Sequence, residues 1–235
     1  MTKPFGSILV ANRGEIACRV MRTAKQRGYR VLAIASEADR EAPHVQLADD
    51  FRIIGSAPVG QSYLDPERVL QAAKEMGAEA IHPGYGFLSE NADFARKVKD
   101  QGLVFIGPSA DAIDLMGDKA RAKRAMIDAG VPRIPGYEAE DQSPERFIEA
   151  AASVGYPVMV KAAAGGGGRG MRIVRTPDRL ADALNDARAE AQSAFGSGEL
   201  ILEKAVENAR HVEIQVFGDA HGNIIHLGER DCSLQ

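Results

Sequence analysis

The chain has 235 residues, 45% of them apolar and 26% charged, with a formal net charge of −4. This balance excludes disorder along the length and fits one large domain or two small ones, while the acidic excess favours neither nucleic acid nor an anionic membrane surface. Cys18 and Cys232 lie far apart and form neither a disulfide framework nor a metal-binding pattern, and the first apolar run is only five residues long, so a soluble cytoplasmic protein is expected.

The first half alternates short apolar runs with amphipathic stretches. Residues 7–11 (SILVA) read as a buried strand, and 15–26 as a helix with Ile16, Val20 and Met21 inside and Arg19, Arg22 and Lys25 outside. Strands follow at 30–35, 51–54, 80–82 and 103–106, with helices at 66–76, opened by Pro66, and at 94–101. Strands and helices alternating at this spacing predict a parallel, doubly wound sheet. Residues 109–130 read as wholly helical, and Pro132 and Pro135 then mark a break. A different unit follows: a helix over 143–154, strands at 157–161 and 171–174, a long helix over 177–195 capped by Thr176, and a strand at 200–204. Two strands, 211–217 and 224–228, are joined around the turn-forming 219–223. The final residues, GERDCSLQ, carry no terminating signal, so the chain is expected to stop within an unfinished domain.

Glycine is enriched, at 24 residues, and its placement is informative. In 156–171, YPVMVKAAAGGGGRGM, a strand ends in Lys161, and Gly165, Gly166, Gly167, Gly168 and Gly170 follow within a few positions. A glycine run is entropically costly, and what it permits is a backbone whose N–H groups close over phosphate oxygens. A lysine just before it supplies a point charge for the same phosphates. The alternative is a flexible hairpin with a solvated lysine. The Walker pattern is excluded, because Lys161 precedes the glycines, and a dinucleotide fingerprint lacks its downstream acidic residue.

Five further features are weaker. In LILEKAV (200–206), Glu203 and Lys204 interrupt an apolar strand, either as the polar edge of a purine-reading hinge or as an exposed charge pair. In 210–216, alternation puts Arg210, Val212, Ile214 and Val216 on one face and His211, Glu213 and Gln215 on the other, which is either solvated or lines a polar site. The turn 11–15 (ANRGE) is either an anion site at a helix start or a tight turn made possible by Gly14. The loop 82–91 (HPGYGFLSEN) is either a substrate-side loop or a rigid corner. Lys119 alone is a surface lysine early in a helix.

Together the segments ILVANRGEIACRV, HPGYGFLSENADFA, FIGPSADAI, MGDKARAK, YPVMVKAAAGGGGRGMRIV, LEKAVENARHVEIQVFGD and GERDCSLQ resemble the biotin carboxylase component of biotin-dependent acyl-CoA carboxylases, which is an ATP-grasp ligase. They cover nearly the whole chain. The alanines after Lys161 and the segment SAFGSGELILEKAV are most similar to subunits serving methylcrotonyl-CoA or geranyl-CoA carboxylases. The resemblance implies an α/β fold: a doubly wound parallel-sheet N-terminal domain (1–112), a helical linker (113–135), an ATP-grasp lid subdomain (136–205) and the incomplete start of the C-terminal ATP-grasp lobe (206–235). It implies that Lys119 and Lys161 contact ATP phosphates, that Gly167 and Gly168 belong to the lid loop, and that Glu203, Lys204 and Val206 hold the adenine. His211 and Gln235 would lie beside the ribose and phosphates.

The implied reaction activates bicarbonate with ATP and Mg²⁺ as carboxyphosphate and carboxylates biotin on a carrier domain. A carboxyltransferase subunit is a further implied partner. Arg19 and Arg22 fall where the family forms a homodimer, although Gln26 replaces the usual acidic partner. The family's bicarbonate-binding lysine, its acidic Mg²⁺ ligands and its arginine and glutamate for bicarbonate and biotin all fall after the position of Gln235. No catalytic or metal-binding residue is therefore expected within this chain, and little carboxylation by it alone. Two alternatives stand: a non-catalytic nucleotide- or subunit-binding module, and another ATP-grasp ligase such as the carbamoyl-phosphate synthetase type. A nicotinamide-binding protein is a more distant one.

Overall fold

The computed structural model describes residues 4–164, 170–219 and 221–234, and the chain divides into two units, 1–122 and 123–235. In the first, β1 (Ser7–Val10) leads into α1 (Gly14–Gln26), β2 (Arg30–Ala35), α2 (Pro43–Leu47) and β3 (Asp50–Ile53). Then come α3 (Pro66–Glu75), β4 (Ala80–His82), α4 (Ala92–Asp100), β5 (Val104–Phe105) and α5 (Ala110–Gly117). The strands form one sheet in the order β3-β2-β1-β4-β5, and every pairing is parallel.

Because successive strand residues face opposite sides, a central strand buried on both faces needs apolar residues throughout. After the polar Ser7 and Arg30 that open them, β1 and β2 meet that demand with Ile-Leu-Val and Val-Leu-Ala-Ile-Ala. Ile8, Val10, Val31 and Ala33 pack with Ala17, Met21 and Ala24 of α1. Leu9, Leu32, Ile34 and Ile81 pack on the other side with Val69 and Leu70 of α3 and Phe94 and Val98 of α4. Helix starts are set by side chains that accept orphan N–H groups: Asp65 for α3, Asn91 for α4 and Ser109 for α5.

The expected continuous helix over 109–130 is instead two. Asp118 is extended, with φ −102° and ψ 110°, and its carboxylate accepts from the Arg121 N–H at 2.9 Å, so it ends α5 and starts α6 (Lys119–Asp128). The boundary between the units falls inside α6.

The second unit contains β6 (Gly136–Tyr137), α7 (Pro144–Val154), β7 (Val158–Ala162), β8 (Arg172–Val174), α8 (Leu180–Phe195) and β9 (Leu200–Lys204). An antiparallel sheet runs β6-β9-β7-β8. Phe147 and Ala151 of α7 and Leu180, Leu184 and Ala187 of α8 cover Val158, Val160, Val174, Leu200 and Leu202 on one sheet face. Thr176 does not cap the long helix. The Pro-Asp-Arg that follows forms a 3₁₀ turn, Pro177–Arg179, and α8 begins only after it.

Beyond β9 stands a separate hairpin, β10 (Val212–Gly218) with β11 (Ile224–Asp231). The β11 strand outruns its expected end at Gly228. That glycine has φ +87° and sits where the register shifts, so it makes a bulge and the strand continues. Asp219 builds the turn by accepting from the N–H groups of His221 and Asn223.

A pH dependence follows from the first unit. Burial lowers the pKa of His44, whose ring is fully buried with Nε2 3.2 Å from the Ile34 carbonyl, and burial likewise lowers that of His82. Both bind protons less readily in the folded chain than in the unfolded one, where they titrate near the ordinary value of 6.5. Their contribution is present above pH 6.5 and lost as pH falls below it. Urea midpoints taken between pH 7.5 and 5 should fall on acidification, and His44→Asn should flatten that slope.

Candidate functional site

In β7, Val158, Val160 and Ala162 are buried in the core, so Met159 and Lys161 face the other side of the sheet. In β9, Leu200 and Leu202 join the same core, which turns Ile201 and Glu203 to the face that carries Lys161. The antiparallel register pairs Met159 with Glu203 and Lys161 with Ile201, so Lys161 and Glu203 are diagonal neighbours within reach of long side chains. Their ammonium and carboxylate groups are hydrogen-bonded through Oε2.

Glu203 is 8% exposed, and its other oxygen lies 2.6 Å from Nζ of Lys123 on α6. The sheet face thus buries a carboxylate between two ammonium groups. Burial pushes the Glu203 carboxyl up, but the ammonium groups of Lys123 and then Lys161 beside it outweigh this and hold the carboxyl below its usual range. Glu138, also 8% exposed, stands behind Lys123 with Oε2 3.9 Å from Nζ and Oε1 3.5 Å from Arg133. Arg124 donates to the Glu138 carbonyl at 2.6 Å and fixes the segment after β6 to α6.

The pair Glu203–Lys204, read as a hinge edge or an exposed charge pair, is split between the two sheet faces. Glu203 is buried, whereas the Lys204 ammonium donates to the carbonyls of Gly155 and Tyr156 at 2.9 and 2.8 Å, closing the turn between α7 and β7. Val206 is exposed at 56%. His211 is also exposed, and its backbone pairs with the end of the hairpin: its N–H donates to Ser233 Oγ and its carbonyl accepts from the Cys232 N–H. Both faces of β10 are largely open, including Val212, Ile214 and Val216. Lys119 opens α6 in the first unit. Gly167, Gly168 and Gln235 lie outside the described residues.

Sequence reasoning missed Lys123, Glu138 and Arg133. Lys123 was findable, since it stands one helical turn after Lys119 and shares its helix face. Glu138 and Arg133 flank a two-residue strand and resemble any surface charges, until the fold buries Glu138 and sets the exposed Arg133 beside it.

Gly14 takes φ +63° in the β1–α1 turn, a conformation that favours glycine. Asn12 is buried and donates from Nδ2 to the carbonyls of Pro83 and Tyr85 at 2.8 and 2.9 Å. It ties this turn to the loop after β4, where the strand order reverses. Arg13 lies over the rings of Tyr63 and Phe87 and 3.2 Å from Asp39.

Among the described residues no group of three His, Cys, Asp or Glu could hold a metal ion, and no helix is long and apolar enough to cross a membrane. Residues 4–113 match the biotin carboxylase N-terminal domain family, and residues 118–235 match the ATP-binding domain of the carbamoyl-phosphate synthase L chain family. The chain is 54% identical over 233 residues to the mitochondrial methylcrotonoyl-CoA carboxylase subunit alpha of Dictyostelium discoideum, covering 99% of this chain and 33% of that protein. It is 51% identical to the biotin carboxylase of a Nostoc species, covering 98% and 52%.

Among solved structures it matches the biotin carboxylase domain dimer of Hydrogenobacter thermophilus 2-oxoglutarate carboxylase in complex with MgADP, ADP and bicarbonate. The TM-score is 0.93 at 52% identity, over 100% of this chain and 51% of that one. A Campylobacter jejuni biotin carboxylase complex with beta-gamma-ATP matches equally well, with TM-score 0.93 at 48% identity, over 97% and 51%. A doubly wound unit followed by this antiparallel sheet and its helices defines an ATP-grasp ligase fold. Matched over nearly its whole length by such relatives, the chain belongs to the biotin carboxylase family. It spans about a third to a half of the length of these relatives.

Proposed function

We propose that the second unit binds ATP for the carboxylation of biotin within a biotin-dependent carboxylase. The observation that carries this reading is Glu203, buried between Lys123 and Lys161 directly before the glycine run. A carboxylate so placed can accept from an adenine amino group, and an ammonium beside the glycines can turn to phosphate oxygens. In the reaction, bicarbonate attacks the γ-phosphorus of ATP to give carboxyphosphate and ADP. Carboxyphosphate releases CO₂ and phosphate, and the ureido nitrogen of carrier-borne biotin takes up the CO₂ as it loses its proton. The contribution of these residues is positioning and charge neutralisation.

Lys119, Gly167, Gly168, Val206, His211 and Gln235 complete the nucleotide contacts in this reading, and Lys204 supports the site by holding the turn before β7. Mg²⁺ would enter with the nucleotide. A second copy of the chain would meet the exposed Arg19 and Arg22 of α1, and a biotin carrier domain and a carboxyltransferase would complete the assembly.

Calorimetric titration with MgADP tests the reading. The chain should bind one nucleotide, and Lys161→Met should weaken binding about tenfold to a hundredfold, the equivalent of about 1.5–3 kcal/mol for a hydrogen bond to a charged group. Equal affinity in the variant would contradict it.

A further inference from the structure

The two lysines on Glu203 are not equivalent. Lys161 is the more open of the two, with its side chain 26% exposed against 15% for Lys123. Its ion partner among the described residues is Glu203, whereas Lys123 faces two carboxylates, Glu203 at 2.6 Å and Glu138 at 3.9 Å. Lys161 lies on the strand that runs into the glycines, and Lys123 lies on a helix tied by Arg124 to the Glu138 carbonyl.

The charge balance points the same way. The groups around Glu203 are Lys161 from β7, Lys123 from α6, and behind Lys123 the pair Glu138 and Arg133. With Lys161 in place they carry one net positive charge. Without it, Lys123 and the exposed Arg133 balance Glu138 and Glu203, so the set is neutral. A buried carboxylate that loses its counter-ion is strongly disfavoured and takes up a proton instead.

Resting on the reading that Lys161 contacts nucleotide phosphates, we propose that Lys123 is a positioning residue, the fixed counter-ion of Glu203, and that Lys161 is the exchangeable one. When nucleotide binds, the Lys161 ammonium leaves Glu203 for phosphate oxygens, and Lys123 keeps Glu203 ionised and aimed at the base. No proton needs to move.

The test is the number of protons taken up when MgADP binds, from calorimetry at pH 7.5 in buffers of different ionisation enthalpy. The wild-type chain should take up close to none. Lys123→Met should bind more weakly and take up on the order of one proton per nucleotide, because Glu203 must then be neutralised from solvent. Lys123→Arg should restore the wild-type count. A packing role for Lys123 would change stability without changing the proton count.

If the wild-type chain binds and Lys123→Met shows the wild-type count, the proposal fails while the nucleotide reading stands. If the wild-type chain binds no MgADP, the nucleotide reading fails and takes the proposal with it. Should Lys123→Met not fold, the double variant Lys123→Met, Glu203→Gln decides. It should fold and bind without uptake, since the charge that needed Lys123 is gone, and a double variant that stays unfolded overturns the proposal.

Discussion

Glu203→Ala is expected to destabilise the second unit by about 3–5 kcal/mol, the usual cost of breaking a buried ion pair from one side. The reason is what remains. Lys123, 15% exposed at its side chain, loses the carboxylate 2.6 Å away and keeps only Glu138 at 3.9 Å, while Lys161 loses its partner on the same face. Glu203→Gln retains the shape and some hydrogen bonding, so it should fall between wild type and alanine.

The pH dependence has a definite sign. The Glu203 carboxyl sits below its usual value of 4.5 in the folded protein, so its contribution is complete above about that pH and is lost as pH falls through the lower folded value. Urea titrations of wild type and Glu203→Ala should therefore differ most near neutrality and converge in acid. Equal midpoints at pH 7 would show that the pair contributes no net stability.

Gly136→Val is expected to have an effect of comparable size, for a steric reason. A Cβ at position 136 would stand 2.2 Å from the Leu202 carbonyl oxygen and 3.2 Å from the Glu203 Cα. Both obstacles are backbone, so neither can rotate away. Gly136 pairs with Glu203 and Tyr137 with Leu202 in the β6–β9 ladder, and any side chain must push these strands apart. Overpacking of this kind costs about 1–3 kcal/mol or somewhat more. The strand displaced is the one that carries Glu203, so nucleotide affinity should fall together with stability. Thermal unfolding and MgADP titration of the variant check both, and a Gly136→Val chain with wild-type affinity would show that β6 does not support the site.

Much of this was legible in the residues. Residues 8–11 and 31–35 are apolar at every position, and a strand covered on both faces is what uses such runs, so the parallel sheet was readable at once. Lys161 before the glycines and Glu203 inside an apolar strand were visible as charges in places that burial disfavours. Their pairing was not visible, because it depends on the register of β7 against β9, which the sequence states only as two strands about 40 residues apart. The role of Lys204 was hidden for the same reason: alternation sends it away from Glu203, toward the carbonyls at the end of α7. Asp118 was misread because a short helix stop needs only one capping carboxylate. The end of β11 was placed too early because a glycine in a bulge and a glycine at a strand end look alike in sequence.

Adenine nucleotide is expected to bind at the face of the antiparallel sheet that bears Lys161 and Glu203. Amide hydrogen exchange of the 235-residue chain with and without MgADP tests this most directly. Slower exchange across β7 and across 200–206, reduced in Lys161→Met, is the predicted result. Unchanged exchange in both segments at saturating nucleotide would contradict it.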